Sequence, residues 1–233
     1  MMRLRRSAER GRFQNHWLDA RFSFNFGSYQ APGYAGYSDL LVLNEDHVAP
    51  GGGFTAHGHA DVEVMSYPLA GVVEHRDSLG HRELMRPGDV HLMRAGRGIV
   101  HSEMNGSAEL PEQHLQWWIR PAVTGLAPGY DKLRLTRADK LNQWRLLAAP
   151  EWQPGVLPLA QDARVWVTLL EDHVLPWRPR PGRRSYVHVA AGALALNGAL
   201  LRAGDAAFVE GEERLEFRAG PEDSAELLLF DLR

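Results

Sequence analysis

The chain has 233 residues, of which 44% are hydrophobic and 24% charged, a balance typical of a globular protein with one large all-β domain or two small ones. Its formal net charge of -3 gives no reason to expect binding to nucleic acid or to membranes, and no stretch approaches the roughly 18 apolar residues of a membrane span. Because cysteine is absent, there is no disulfide framework, and any metal site must use His, Asp or Glu.

The first six residues are basic, but no apolar run of signal-peptide length follows them, so we expect a cytoplasmic protein. Beyond them, glycine and proline recur at short intervals. Short apolar runs, such as residues 39–44 and 116–119, are bounded by turn residues. This pattern predicts an all-β protein, a sandwich or a barrel, with few short helices.

Two short clusters of potential metal ligands follow in the first half of the chain. His57 and His59 are two positions apart, and so are His101 and Glu103. In a β-strand such pairs point to one face, so two neighbouring strands could aim three imidazoles and a carboxylate at one point. This nitrogen and oxygen set suits a divalent transition metal: Fe, Cu, Ni, Co, Mn or Zn.

A repeated segment divides the chain into two halves. Residues 84–93 resemble residues 200–209, each with an Arg-x-Gly-Asp turn that we interpret as the entry to a hairpin, and each has a glycine upstream, Gly71 or Gly192. We therefore predict two similar β-barrels in tandem. The predicted domains are residues 1–130, with the metal site, and residues 159–233, without one, joined by a connector over residues 131–158.

The connector contains the clearest helix candidate, from Thr136 to Leu147, ending before Pro150. In the second half, Arg178 and Arg180 align with the two histidines of the first cluster. Phe217 and Ala219 align with the second pair. No gap-free alignment restores ligands there, so we expect one metal site.

The two clusters also resemble the two sequence motifs of the cupin superfamily, and the wider pattern resembles the pirin family, most closely bacterial pirin-like proteins with quercetinase activity. The matching segments include 53–59, Tyr67, Gly71, 75–80, 88–90, Met93, 95–96, 101–103, 114–118 and 228–232. The resemblance covers nearly the whole chain and implies two cupin jelly-roll barrels in a bicupin arrangement. The sequence departs from the family in carrying Gly58 where Pro is usual, His91 where Gln is common, and two extra residues before His101.

The resemblance implies that His57, His59, His101 and Glu103 bind one divalent metal ion, most commonly Fe(II). Glu63 is the alternative carboxylate, because in many other cupins the Glu of the first motif is the ligand. We favour Glu103, which stands two residues after the last histidine, as in pirins. Glu63 would then lie at the surface or orient a ligand histidine.

The remaining candidates have weaker patterns. We interpret His75 and His81 as surface or hairpin residues, and His114 as a satisfied core or rim histidine. The aromatic residues Phe24, Phe26, Trp117 and Trp118 are interpreted as core.

Three functions fit these observations. The resemblance implies a quercetin 2,3-dioxygenase, which opens a flavonol ring with O₂ and releases carbon monoxide, with Glu103 as the general base. The second is a metal-binding regulatory or redox-sensing protein with a protein partner, for which an Arg-rich loop over residues 178–184 is the candidate surface. The third is a hydrolase or isomerase that uses the metal as a Lewis acid.

Overall fold

The computed structural model describes residues 1–233, and the chain is nearly all β-strand, as predicted. It divides into two compact units. We call residues 11–134 and 157–161 the N-terminal unit, and residues 1–10, 135–156 and 162–233 the C-terminal unit. No helix of the structure is long and apolar enough to cross a membrane.

The N-terminal unit consists of antiparallel strands in two sheets. The strands of these sheets are β2 (Gly11–Gln14), β3 (Leu18–Phe22), β4 (Leu40–Val48), β5 (Gly53–His59), β6 (Glu63–Ala70), β7 (Val73–Asp77), β8 (Arg82–Met85), β9 (Asp89–Arg94), β10 (Ile99–Asn105), β11 (Glu112–Ile119) and β12 (Gly129–Arg134). The two-residue strand β14 (Leu157–Pro158) also belongs to this unit but lies in neither sheet. One sheet has the order β12-β9-β6-β11-β4-β3-β2, and the other has the order β5-β10-β7-β8. These two sheets form the cupin fold that the resemblance implies.

The C-terminal unit has one sheet with much longer strands. Its elements are β1 (Met2–Arg5), a 3₁₀ turn (Ser7–Glu9), α1 (Arg137–Lys140), β13 (Arg145–Ala149), β15 (Arg164–Trp177), β16 (Arg184–Leu196), β17 (Ala199–Arg202), β18 (Ala206–Glu210) and β19 (Leu215–Leu232). The sheet order is β1-β18-β16-β19-β15-β13, with β17 also paired to β16. Its core includes Phe217 and Ala219, which are buried among leucines and valines.

The first strand departs from the predicted domain bounds. Met2 to Arg5 pair with Ala206 to Val209 of β18, so residues 1–10 belong to the unit that contains the second half of the chain. Residues 135–156, placed in the predicted connector, belong to that unit too.

The predicted helix from Thr136 to Leu147 is wrong in its length. Its start is as expected, because Asp139 accepts hydrogen bonds from the Thr136 amide and hydroxyl at 2.6 and 2.7 Å. The helix ends at Lys140, because Asn142 has a left-handed backbone with φ of 54°. Residues 145–149 then pair with β15 as a strand, which buries Leu147 in the sheet.

The repeated segments have matching local structure. In both copies the aspartate accepts a hydrogen bond from the arginine amide, at 2.8 Å for Asp89 and 3.1 Å for Asp205. The predicted hairpin entry is wrong for both copies. In the first, β8 and β9 belong to different sheets, and in the second, β17 and β18 each pair with β16 and not with each other.

The upstream glycines also correspond. Gly71 and Gly192 have φ of 71° and 75°, and both lie against a neighbouring backbone. The repeat therefore marks a shared bend, between β6 and β7 in one unit and within β16 in the other.

Candidate metal centre

Strand β10 lies between β5 and β7, and its register brings the three predicted histidine ligands together. His101 pairs with His57 of β5. Glu103 pairs with Phe54 on that side, after a register shift, and with His75 of β7 on the other side. Directly paired residues of neighbouring strands share one face of a sheet. The inward positions of β10 are buried, which places His101 and Glu103 inside the unit.

His57, His59 and His101 form one cluster. The His57 ring centroid lies 4.4 Å from that of His101 and 4.9 Å from that of His59. Each residue offers one ring nitrogen, and these nitrogens lie within 4.8 Å of one another. Three imidazoles at this spacing could hold a transition-metal ion.

The hydrogen bonds of this cluster leave nitrogen lone pairs available. His57 donates from Nδ1 to the Thr55 carbonyl at 2.7 Å, which leaves Nε2 without a proton when the ring is neutral. Nε2 of His59 and both ring nitrogens of His101 are buried without a hydrogen-bond partner. Unpartnered buried nitrogens are costly, so the residues present fit a bound ion.

Burial also favours the uncharged form of two of these rings, His59 and His101. It lowers the pKa of His101 to about 4 and lowers that of His59, to which the neighbouring His57 contributes. A metal ligand must be neutral imidazole, and at pH 7 His59 and His101 meet that requirement without loss of a proton.

Glu103 lies beside this cluster, and its carboxylate is held by two donors. Ser66 Oγ donates to one oxygen at 3.0 Å, and Gln116 Nε2 donates to the other at 2.6 Å. Burial opposes ionisation of Glu103, but the imidazoles of His101 and His114 outweigh it and lower the pKa of the carboxyl to about 2. Glu103 is therefore ionised at neutral pH.

The positioning residues Ser66 and Gln116 were not found by sequence reasoning. Gln116 in turn accepts a hydrogen bond from Trp118 Nε1 at 3.0 Å, so the aromatic residue orients the amide that holds the carboxylate. The available signal was a polar Gln within an apolar run, two residues before Trp118 on the same strand face.

The carboxylate of Glu63 forms hydrogen bonds with groups outside the histidine cluster. Its carboxylate accepts hydrogen bonds from the Ala160 amide at 2.9 Å and from Arg94 Nε at 3.3 Å. It is fully buried, so the expected surface location is wrong, and these contacts anchor residues 157–161 to the N-terminal unit. Burial raises the pKa of Glu63 against the opposing effects of Ala160 and Arg94.

Three of the histidines outside the predicted ligand set, His75, His81 and His114, lie in different surroundings. His75 pairs with Glu83 in the β7–β8 hairpin, as one of the two alternatives predicted, but it is fully buried, so the surface alternative is wrong; His81 is partly exposed at the same hairpin, as expected. His114 is buried in the core, as predicted, and its Nδ1 contacts Glu112 at 3.0 Å, whereas its Nε2 has no hydrogen-bond partner and lies 3.6 Å from Asp46.

A cavity of about 420 Å³ opens onto the cluster. His57, His59 and Glu103 line it together with a mainly aromatic wall formed by Phe13, Trp17, Phe22, Phe26, Phe54 and Trp118. Two residues interpreted as core, Phe26 and Trp118, therefore face this cavity, while Phe24 and Trp117 are buried as expected. The size and lining are typical of a small-molecule site.

The Arg-rich loop is partly neutralised by its own unit. Arg180 and Arg183 both pair with the buried Asp231, at 2.6 Å each. Arg184 lies 3.3 Å from Glu210. These contacts give most of the loop's charge a structural role.

Comparison with known proteins places these observations in a family. The family model described as Pirin matches residues 2–119, and the model described as Quercetinase C-terminal cupin domain matches residues 146–232. The chain is 34% identical to quercetin 2,3-dioxygenase of Escherichia coli K12, over 100% of this chain and 99% of that protein. It is also 34% identical to a pirin-like protein of Caulobacter vibrioides, over 92% of each chain.

Solved structures agree with the sequence comparison. The structure of bacterial pirin YhhW from Escherichia coli in complex with nickel(II) is similar with a TM-score of 0.92 and 34% identity, over 100% of this chain and 99% of that one. A further structure of YhhW from Escherichia coli has a TM-score of 0.94 and 35% identity, over 100% and 98%.

Proposed function

Because the chain belongs to the pirin family, we propose that it is a metal-dependent dioxygenase that opens the central ring of a flavonol such as quercetin with O₂ and releases carbon monoxide. The observation that carries the proposal is the opening of an aromatic-lined cavity onto an ionised carboxylate and two imidazoles of the three-histidine cluster. We propose His57, His59, His101 and Glu103 as the ligands and Fe(II) as the native ion, although the same donor set accepts Cu, Ni, Co, Mn or Zn.

The bound ion would supply a positive charge that lowers the pKa of a coordinated flavonol hydroxyl and an open position for O₂. The chain's own residues provide the rest. Glu103 is ionised on the cavity wall and accepts the hydroxyl proton at a carboxylate oxygen. The hydrogen bonds from Ser66 and Gln116 fix where that oxygen lies.

The aromatic wall selects the class of substrate. Phe26 packs edge-on against Trp118 with ring centroids 5.5 Å apart, and Trp118 packs edge-on against His59 at 4.9 Å. This wall offers stacking and edge contacts to a flat polyphenol, and it excludes water from the reacting carbon atoms.

Oxygen uptake with quercetin tests the proposal directly. The metal-stripped protein is reconstituted with Fe(II), Cu(II), Mn(II), Co(II) or Ni(II), and uptake and released carbon monoxide are measured together. We expect uptake only with metal, and a loss of more than about 100-fold in His101→Ala, because removal of a ligand reduces metal retention and turnover together. His173→Gln, at an exposed position of the C-terminal unit, is the control and should match the wild type.

A separate measurement tests whether Glu103 or Glu63 is the carboxylate ligand. Metal content after dialysis should fall in Glu103→Gln and stay at the wild-type level in Glu63→Gln, whose carboxylate holds Ala160 and Arg94 instead. The reverse pattern would assign Glu63 as the ligand. Absence of uptake with every metal, in protein that still binds one, would refute the dioxygenase proposal.

A further inference from the structure

Three buried residues next to the proposed centre form a second cluster of metal-ligating groups. His75 and His91 are 0% exposed and Glu103 is 3% exposed. Each offers one ligand atom, and the three atoms lie within 4.8 Å of one another. The residues come from β7, β9 and β10, so both sheets of the N-terminal unit contribute to the cluster.

The hydrogen bonds of His75 direct a lone pair into this cluster. Its Nε2 donates to Asp77 Oδ2 at 3.1 Å, and the carboxylate can only accept, so Nε2 carries the proton. Its Nδ1 is buried and has no hydrogen-bond partner. A histidine whose other nitrogen donates to a carboxylate is the usual arrangement of a metal ligand.

His91 likewise has one ring nitrogen near a polar side chain and the other without a hydrogen-bond partner. Its Nδ1 lies 3.3 Å from the Tyr130 hydroxyl, and its Nε2 is buried without a hydrogen-bond partner. That Nε2 lies 3.8 Å from Glu103 Oε1, which is too long for a hydrogen bond. Two imidazole nitrogens without hydrogen-bond partners therefore lie near a carboxylate oxygen in a buried part of the unit.

When the proton of neutral His91 is on Nδ1, where it donates to the Tyr130 hydroxyl, this arrangement is unfavourable unless a cation lies among the three groups. Lone pairs and a carboxylate repel one another at short range, and burial removes the water that would screen them. A divalent ion satisfies all three at once, and two imidazoles with one carboxylate suit first-row transition metals.

We propose that His75, His91 and Glu103 form a second divalent transition-metal site, next to the first and sharing Glu103 with it. The two clusters are adjacent, because the His75 and His101 ring centroids lie 5.5 Å apart. The site goes beyond the proposed dioxygenase function, since these residues can hold an ion whatever reaction the protein performs. It makes Glu103 a bridging ligand.

Metal stoichiometry tests the second site. Full-length protein is stripped with a chelator and titrated with Co(II), and bound ions are counted by equilibrium dialysis with elemental analysis. We expect two ions for the wild type, one for His91→Gln, one for His59→Ala and none with useful affinity for the double variant. The Gln side chain keeps a polar group near Tyr130, and His173→Gln is the matched control that should retain both ions.

The outcomes separate the two sites. One ion in the wild type, lost in His59→Ala and retained in His91→Gln, would overturn the second site and leave the first intact. One ion with the opposite dependence would support the second site and refute the first. Two ions that both persist in His91→Gln would also overturn the proposal, and no bound ion would refute both sites.

A measurement on the wild type covers the case in which a variant does not fold. Two Co(II) ions bridged by one carboxylate couple magnetically, so the electron paramagnetic resonance signal per bound ion should fall as the second equivalent is added. A signal that grows in proportion to bound cobalt through both equivalents would contradict a bridged pair.

Discussion

At the scale of single residues, the N-terminal unit holds one buried histidine in its charged form and others in their neutral form. His114 is buried with Glu112 and Asp46, and although burial opposes its charge, these carboxylates raise its pKa to about 10. Burial lowers the pKa of His91 to about 3, in the same unit. Neighbouring carboxylates therefore decide which histidines are cations and which are free to bind metal.

The His114 cluster predicts a dependence of stability on pH. The folded-state pKa, about 10, exceeds the unfolded value near 6.5, so the stabilisation is full below about pH 6.5 and is lost as pH rises through about 10. His114→Gln should lower the free energy of unfolding by about 3–5 kcal/mol at pH 6, because two carboxylates lose their buried partner.

Urea unfolding at pH 6, 8 and 10 measures this effect. The difference between the wild type and His114→Gln should shrink steadily as pH rises. His16→Gln, at an exposed position in the same unit, should follow the wild-type curve. A constant difference across the range would show that His114 stabilises by packing and not by charge.

At the scale of elements, the two units share a glycine bend. A Cβ at Gly192 would lie 1.7 Å from the Ser224 carbonyl oxygen, and a Cβ at Gly71 would lie 2.6 Å from that of Pro111. At both positions the added Cβ would clash with backbone atoms of a neighbouring segment, and a backbone cannot move aside as a flexible side chain can. These glycines therefore allow close approach of two chain segments in addition to a positive φ.

Alanine substitutions separate the two effects. Gly192→Ala should cost more than about 3 kcal/mol of unfolding free energy, because strain and a backbone clash add. Gly198 also has a positive φ, of 81°, but nothing lies within 4 Å of an added Cβ, so Gly198→Ala should cost only about 1 kcal/mol. If urea unfolding shows the same loss of unfolding free energy in both variants, the close backbone approach at Gly192 does not contribute to the cost of the substitution.

The sequence predicted which residues share a strand face, but not the order of the strands in the sheets. The spacing of His57 and His59 and of His101 and Glu103 predicted shared strand faces, and the structure brings the three histidines together. The order of strands in the sheets was not readable. That order places β7 beside β10 and makes His75 a buried neighbour of Glu103, because register joins residues that are far apart in the chain.

At the scale of the whole molecule, the repeat and the family resemblance predicted the all-β cupin fold correctly. The pairing of β1 with β18 was missed, since nothing local in Met2 to Arg5 indicates a partner two hundred residues away. The residues that line the cavity were not identified for a related reason: alternation along β11 shows which face of the strand carries Trp118, but not that the opposite wall is far enough away to leave a space.

Metal binding should be visible in the stability of the whole molecule. An ion that binds only the folded state stabilises it by about 2.7 kcal/mol when free metal is one hundred times the dissociation constant. Thermal unfolding of stripped protein should therefore shift upward with added Co(II) or Ni(II), in a concentration-dependent way. His101→Ala should shift less, whereas an equal shift in that variant would indicate ions bound elsewhere.

The pairing of β1 with β18 also has a consequence for synthesis on the ribosome. The Met1 amino group bonds to the carbonyl of Glu210, 209 positions away, so the first strand is made long before its partner. At roughly 5–20 residues per second, β1 waits for about 10–40 seconds. The order protects the nascent chain, because the strand that waits is short and rich in arginine, while the apolar β18 emerges with its edge partner already made.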